Sequence, residues 1–203
     1  MAMSGKVENA VTLPALVAAH AKADPLGVIL RRKDRGIWKT VTWAEMDQRM
    51  TAISAAVQAS GLRIGDVAAI LSDTNPEWAM LDLGVQAAGC VAAGLNPADG
   101  APDIGRQLAE TSARLLFVEG EAMLDKALAV RSACPDLTRI VIMDMKGLRD
   151  LAEPGCESLD LGEEGGYDGV VAGSSVGEVV QIPLDGGGVR RGGDVVGRTS
   201  EAA

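Results

Sequence analysis

Aromatic side chains are scarce: Trp38, Trp43, Trp78, Phe117 and Tyr167 are the five among 203 residues. That is too few for a platform on which nucleic-acid bases stack. Histidine occurs once, at His20, which excludes metal sets built on paired imidazoles. Nothing acidic or nucleophilic stands beside His20 in the chain, so it reads as a helix-face histidine packed at a domain edge and not as a general base. The cysteines, Cys90, Cys134 and Cys156, are odd in number and widely separated. They form no C-x-x-C pair, which excludes a disulfide framework and zinc-type spacing; a reduced, cytoplasmic setting fits, with Cys90 and Cys134 as small buried apolar residues. Positive charge is also short, 19 Lys and Arg against 28 Asp and Glu for a net −9. No nucleic-acid partner is expected from such a balance. Long apolar runs are missing too. The stretch from Ala79 to Leu95 holds Asp82, Gly84, Gly89 and Gly94 and reads as a helix followed by a strand, so no transmembrane segment is expected. The opening MAMSGKVENA lacks the apolar core of a signal peptide.

What is present is the pattern of one α/β domain, long enough to bury roughly 70% of its unfolded surface. Leu13, Leu16, Val17 and His20 fall at helical spacing until Asp24-Pro25. Gly27 to Arg31 and Ile37 to Thr42 read as two strands around a charged turn, in which Arg31, Arg32, Lys33 and Arg35 form a solvated strip. Thr42-Trp43-Ala44-Glu45 is a capping box that opens a helix with Met46, Met50, Ile53 and Val57 on its apolar face and Gly61 past its end. The apolar run Val67 to Leu71 then precedes a helix capped by Asn75, with Pro76 first and Glu77 in its first turn. Cys90 to Leu95 precedes a helix over Asp103 to Ser112, Leu115 to Val118 precedes one over Glu121 to Ala133, and Ile140 to Met143 is a fourth run. Short apolar runs alternating with amphipathic helices predict a parallel sheet with helices on both faces.

Beyond Lys146 the character changes. Fourteen of the 25 glycines and no lysine lie there. The expected organisation is a tail over 1–11, an α/β subdomain over 12–146 and a Gly-rich linker or tail over 147–203. Within that tail one strand is expected at 178–184, and the Gly- and Arg-rich end is expected to be disordered or irregular.

An ordered series of motifs carries a family resemblance. Val41-Thr42-Trp43-Ala44-Glu45 is followed by Gly61-Leu62-Arg63-Ile64-Gly65-Asp66, Ala69-Ile70-Leu71-Ser72-Asp73 and Asn75-Pro76-Glu77-Trp78. Then come Asp82-Leu83-Gly84, Ala87-Ala88-Gly89, Leu95-Asn96-Pro97, Arg114 through Glu119, and Pro135 through Val141. Over roughly Thr12 to Asp144 the series resembles the N-terminal part of AMP-forming acyl-CoA synthetases of the long-chain fatty-acid type, in the adenylate-forming ligase superfamily. It departs at Val67, where such proteins usually carry a basic residue, and before Pro97, where they usually carry an aromatic one. The resemblance implies, for the complete family, that a fatty acid attacks the α-phosphate of ATP to give an acyl-adenylate, from which CoA displaces AMP. ATP, Mg²⁺ and CoA are therefore implied for the family.

That chemistry needs a Thr/Ser/Gly-rich phosphate loop ending in lysine, an acidic residue for the ribose and a lysine from a C-terminal domain. The resemblance places all of these after the region matched. Glu178 to Ile182 resembles the strand leading to the phosphate loop, but Pro183-Leu184-Asp185-Gly186-Gly187-Gly188-Val189-Arg190-Arg191 has the glycines without the hydroxyls or the lysine. The expectation is a truncated or degenerate synthetase, inactive as this chain alone, with no catalytic, cofactor-binding or metal residue assigned. A truncated gene, a frameshifted tail and a degenerate remnant all fit; the abrupt change of composition favours the first two. The alternative is a non-catalytic module that pairs with another protein chain through an exposed sheet edge.

Asp73, Asn75, Glu77 and Trp78 gather where α/β proteins bind ligands, yet a helix cap and helix-face packing account for most of them. Ser174-Ser175 lacks the G-x-S-x-G form and reads as loop. Gly186-Gly187-Gly188 with Arg190-Arg191 has phosphate-binding groups but no helix signal after it, and reads as tail.

Overall fold

The computed structural model describes residues 12–144 and, beyond them, the backbone of four short strands at 156–158, 168–172, 179–183 and 190–192. The chain opens with helix α1 (Leu13–Ala23), whose Thr12 hydroxyl accepts from Ala15 N–H. Pro14 and Val17 turn inward, while Leu13 stays 56% exposed, so the apolar face lies slightly round from the one expected. Strands β1 (Val28–Asp34) and β2 (Ile37–Thr42) form an antiparallel hairpin. The turn is shorter than the sequence implied. Only Arg35 (φ 46°) and Gly36 (φ 87°) lie between Asp34 and its partner Ile37, the two positive φ values a tight hairpin turn requires. Arg32, Lys33 and Asp34 therefore belong to β1 with Arg31 and not to the turn.

Helix α2 (Trp43–Ala59) starts on the reciprocal capping box of Thr42 and Glu45 and buries Met46, Met50, Ile53 and Val57. The alternation that follows is β3 (Val67–Leu71), α3 (Pro76–Ala87), β4 (Val91–Leu95), α4 (Ala101–Thr111), β5 (Leu115–Val118), α5 (Glu121–Val130) and β6 (Arg139–Ile142). A single 3-10 turn, Arg131–Ala133, completes what the sequence suggested as the end of α5. Strands β3 to β6 and β7 (Cys156–Ser158) make a parallel sheet in the order β4-β3-β5-β6-β7.

Side chains alternate across this sheet as the pleat demands. Ala68, Ile70, Leu115, Phe117 and Val141 meet α1, α2 and α3 on one face. Ala69, Leu71, Leu116, Val118, Ile140 and Ile142 meet α4 and α5 on the other. Strands β3 and β5 are thus apolar throughout because both of their faces are covered, and each fully buried aliphatic side chain contributes about 1.5–3 kcal/mol.

Three further strands, β8 (Asp168–Ala172), β9 (Val179–Pro183) and β10 (Arg190–Gly192), form a separate antiparallel sheet in the order β10-β9-β8. Strand β9 falls inside the 178–184 stretch singled out from sequence. Strand β10 lies where composition suggested no regular structure; a ladder of backbone groups needs no apolar side chains, so composition carries no sign of it. Gly186, Gly187, Gly188, Ser174 and Ser175 lie outside the described residues. Among the described residues no helix is long and apolar enough to cross a membrane.

Candidate functional site

In an open α/β sheet, ligands bind outside the carboxyl ends of the strands, where connections depart to opposite faces. Here that place is between β3 and β5, since α3 leaves β3 on one face and α5 leaves β5 on the other. Ser72 and Asp73 follow β3, and Glu119 follows β5. One Glu119 oxygen, Oε2, accepts from both the Ser72 hydroxyl (2.9 Å) and the Asp73 backbone N–H (2.8 Å). Ser72 in turn accepts from Asn75 Nδ2 at 3.2 Å, and Asn75 Oδ1 accepts from Trp78 N–H at 2.7 Å. The carboxylate thus ties the two strand ends together across the crevice. Ser72, 4% exposed, is satisfied through it.

The four residues singled out from sequence divide accordingly. Asn75 is the cap of α3. Glu77 reaches the hairpin and pairs with Arg32 at 3.2 Å. The Trp78 ring lies over Gly94 of β4, where an added Cβ would sit 3.0 Å from the ring. Asp73 contributes its backbone N–H to the crevice, and its side chain is exposed. His20 stacks on Trp43, with centroids 4.4 Å apart and planes at 20°. Cys90 and Cys134 are buried thiols whose pKa is raised, in both cases first by burial and for Cys90 also by Asp66 nearby.

Three residues in the crevice and on its flank escaped the sequence reading. Glu119 and Ser72 passed only as members of the family series, because their bond spans 47 positions. An acidic residue directly after a buried strand is the signal that points to such a crossing. Lys126, on α5, donates to Pro97 O (2.6 Å) and Asp99 O (3.0 Å) in the loop after β4. That loop is further held by Asn96 Nδ2 on Asp99 Oδ1 (3.0 Å) and Gln107 Nε2 on Asp99 Oδ2 (2.9 Å).

The opposite end of the sheet is locked in a similar way. Asp66, just before β3, accepts from the Arg63 N–H at 2.7 Å and from Arg114 Nη1, just before β5, at 2.7 Å. The Arg63 N–H, foremost, and then Arg114 hold the Asp66 carboxyl below its ordinary pKa.

A nucleotide triphosphate and its metal do not fit the described crevice. Its Glu119 carboxylate already takes the Ser72 hydroxyl and the Asp73 N–H, and the Asn75 side chain at the α3 N-terminus already takes a backbone N–H. Among the described residues no group of three or more His, Cys, Asp and Glu is placed to hold a metal.

The architecture is an open α/β domain with a crevice at the strand ends, and solved proteins share it. In fold it is similar to an anthranilate CoA ligase solved in complex with anthranoyl-AMP, with TM-score 0.60 and 19% identity over 84% of this chain and 33% of that one. It is likewise similar to the adenylation domain of a carboxylate reductase from Mycobacterium chelonae, with TM-score 0.58 and 22% identity over 68% of this chain and 24% of that one. Residues 17–166 match the AMP-binding enzyme family, and the chain belongs to it. Among curated relatives, the long-chain-fatty-acid–CoA ligase FadD15 of Mycobacterium tuberculosis is 29% identical over 127 residues, 63% of this chain and 21% of that protein. The 4-coumarate–CoA ligase 4 of Arabidopsis thaliana is 29% identical over 128 residues, 62% of this chain and 22% of that protein. The chain thus matches about a fifth of the length of these relatives.

Proposed function

We propose that these residues form the N-terminal scaffold of an AMP-forming acyl-CoA synthetase acting on fatty acids, and that the 203-residue chain by itself does not activate a carboxylate. The reaction class rests on family membership over residues 17–166, and the fatty-acid substrate on the long-chain ligases among the relatives. ATP, Mg²⁺ and CoA would serve the complete reaction, in a cytoplasmic setting. The observation that carries the inactivity is the crevice itself. The groups described there are an engaged carboxylate, Glu119, and the hydroxyl and amide it accepts from, so charge building on an α-phosphate meets no stabilising group among the described residues. The Gly-rich stretch after β9 supplies neither hydroxyl nor lysine. The scaffold reading covers 12–146, with 147–203 as the segment that follows it and the chain as a fragment of the reaction's full machinery.

The test is ATP–pyrophosphate exchange by the purified chain over a series of fatty acids. No exchange above the enzyme-free blank is expected; sustained exchange that depends on the fatty acid overturns the proposal. A second reading, a module that pairs with another chain, is favoured by β4, which ends the sheet order and keeps Val91 51% exposed.

A further inference from the structure

The β1–β2 hairpin separates its charges by face. Residues opposite one another share a side of the ribbon. Leu30 with Val41, Arg32 with Lys39 and Asp34 with Ile37 are on one side, and Arg31 with Thr40 and Lys33 with Trp38 are on the other. The first side is turned to the body. Val41 is buried, Leu30 packs on the core, and Arg32 pairs with Glu77 of α3. The hairpin's one acid is used on that side too, where Asp34 pairs with Lys39 at 3.2 Å.

Arg31 and Lys33 consequently remain on the outer side with no carboxylate beside them, and Arg35 joins them at the turn. None of the three enters an ion pair among the described residues. Between them lies Trp38, 64% exposed, with Ile37 at the turn end 69% exposed. A chain of net charge −9 therefore presents one flat ribbon face bearing three uncompensated cations and an exposed indole.

We propose that this outer hairpin face docks on anionic lipid headgroups at a membrane surface. Basic side chains are drawn to an anionic leaflet, each by about fivefold in partitioning. An indole seats at headgroup level with its apolar body toward the acyl chains, and Arg and Lys stems reach past it to the phosphates. A flat face with an apolar tip matches a planar bilayer better than a small dissolved anion. The acidic remainder of the chain is repelled by the same surface, which orients the protein with the hairpin foremost and makes attachment weak and sensitive to salt. The inference does not depend on the ligase reading.

The test is sedimentation of the full chain with vesicles of phosphatidylcholine alone and of phosphatidylcholine mixed with phosphatidylserine. Binding only to the mixed vesicles, diminished by added salt, is expected. The triple variant Arg31→Gln, Lys33→Gln and Arg35→Gln should lose on the order of a hundredfold in partitioning, and Trp38→Ala should weaken binding further. All four sites are exposed, so the thermal melt should not move; an unchanged melt with lost binding supports the proposal. Equal binding to both vesicle types, or a triple variant that binds as well as the parent, overturns it. Hairpin-dependent binding to soluble poly-glutamate without vesicle binding also overturns it, in favour of an acidic protein partner.

Discussion

A single carboxylate oxygen, Glu119 Oε2, satisfies a buried hydroxyl and a backbone amide at once. Its removal takes the acceptor from the Asp73 N–H and leaves the Ser72 hydroxyl the Asp73 carbonyl at 2.9 Å. Glu119→Ala should therefore cost about 1–2 kcal/mol in urea unfolding, the net worth of hydrogen bonds lost to a carboxylate. Glu119→Gln, which retains an acceptor oxygen, should lose less. At the other rim Asp66 acts through charge as well. Its carboxyl is held below its ordinary pKa by the Arg63 N–H and by Arg114. A group whose pKa falls on folding stabilises the native state fully above its unfolded pKa, and this contribution is lost as pH drops through the folded value. The acid limb of the stability profile should accordingly be flatter in Asp66→Asn than in the parent, as read by thermal melts over a pH series. Neither partnership was legible in sequence. Asp66 and Arg114 stand 48 positions apart, and Ser72 and Glu119 stand 47 apart; no local spacing rule connects residues at that separation.

Elements, by contrast, were largely legible, because their signals are local. The capping box of Thr42 and Glu45 and the Asn75-Pro76 start are each complete within four residues, and the structure has both where the spacing put them. Both-face burial explains why Val67–Leu71 and Leu115–Val118 were bounded correctly: every position but one in those runs is buried. In the hairpin, charge is no sign of a turn. A ribbon with one solvated face accepts Arg and Lys inside a strand, so the turn shrank to Arg35-Gly36.

Packing between elements leaves a further trace at Gly84. A Cβ there would collide with Ile53 of α2 and lie 3.3 Å from the Met50 carbonyl. Ala in mid-helix gains about 1 kcal/mol over Gly, but overpacking costs about 1–3 kcal/mol. Gly84→Ala should thus destabilise on balance and lower the melting temperature, and an increase would mean α2 and α3 are less closely packed than described. This close approach gives the glycine of the Asp82-Leu83-Gly84 motif a mechanical reason.

For the molecule as a whole, the sheet, its two helical layers and the tied strand ends explain why the chain folds as an AMP-binding enzyme domain without explaining catalysis. The crevice is present in outline, at the point where the chain crosses from one face of the sheet to the other. Its described side chains tie the strand ends together. Sequence made the family legible through an ordered series of motifs, most of which turn out to be caps, turns and packing contacts. These are requirements of the fold, and they persist whether or not the chemistry is complete. The central claim is that these 203 residues supply scaffold and not adenylation, and fatty-acid-dependent ATP–pyrophosphate exchange by the purified chain tests it most directly. The account predicts a rate indistinguishable from the enzyme-free blank for every fatty acid tried; exchange that rises with protein and requires both ATP and a fatty acid would contradict it.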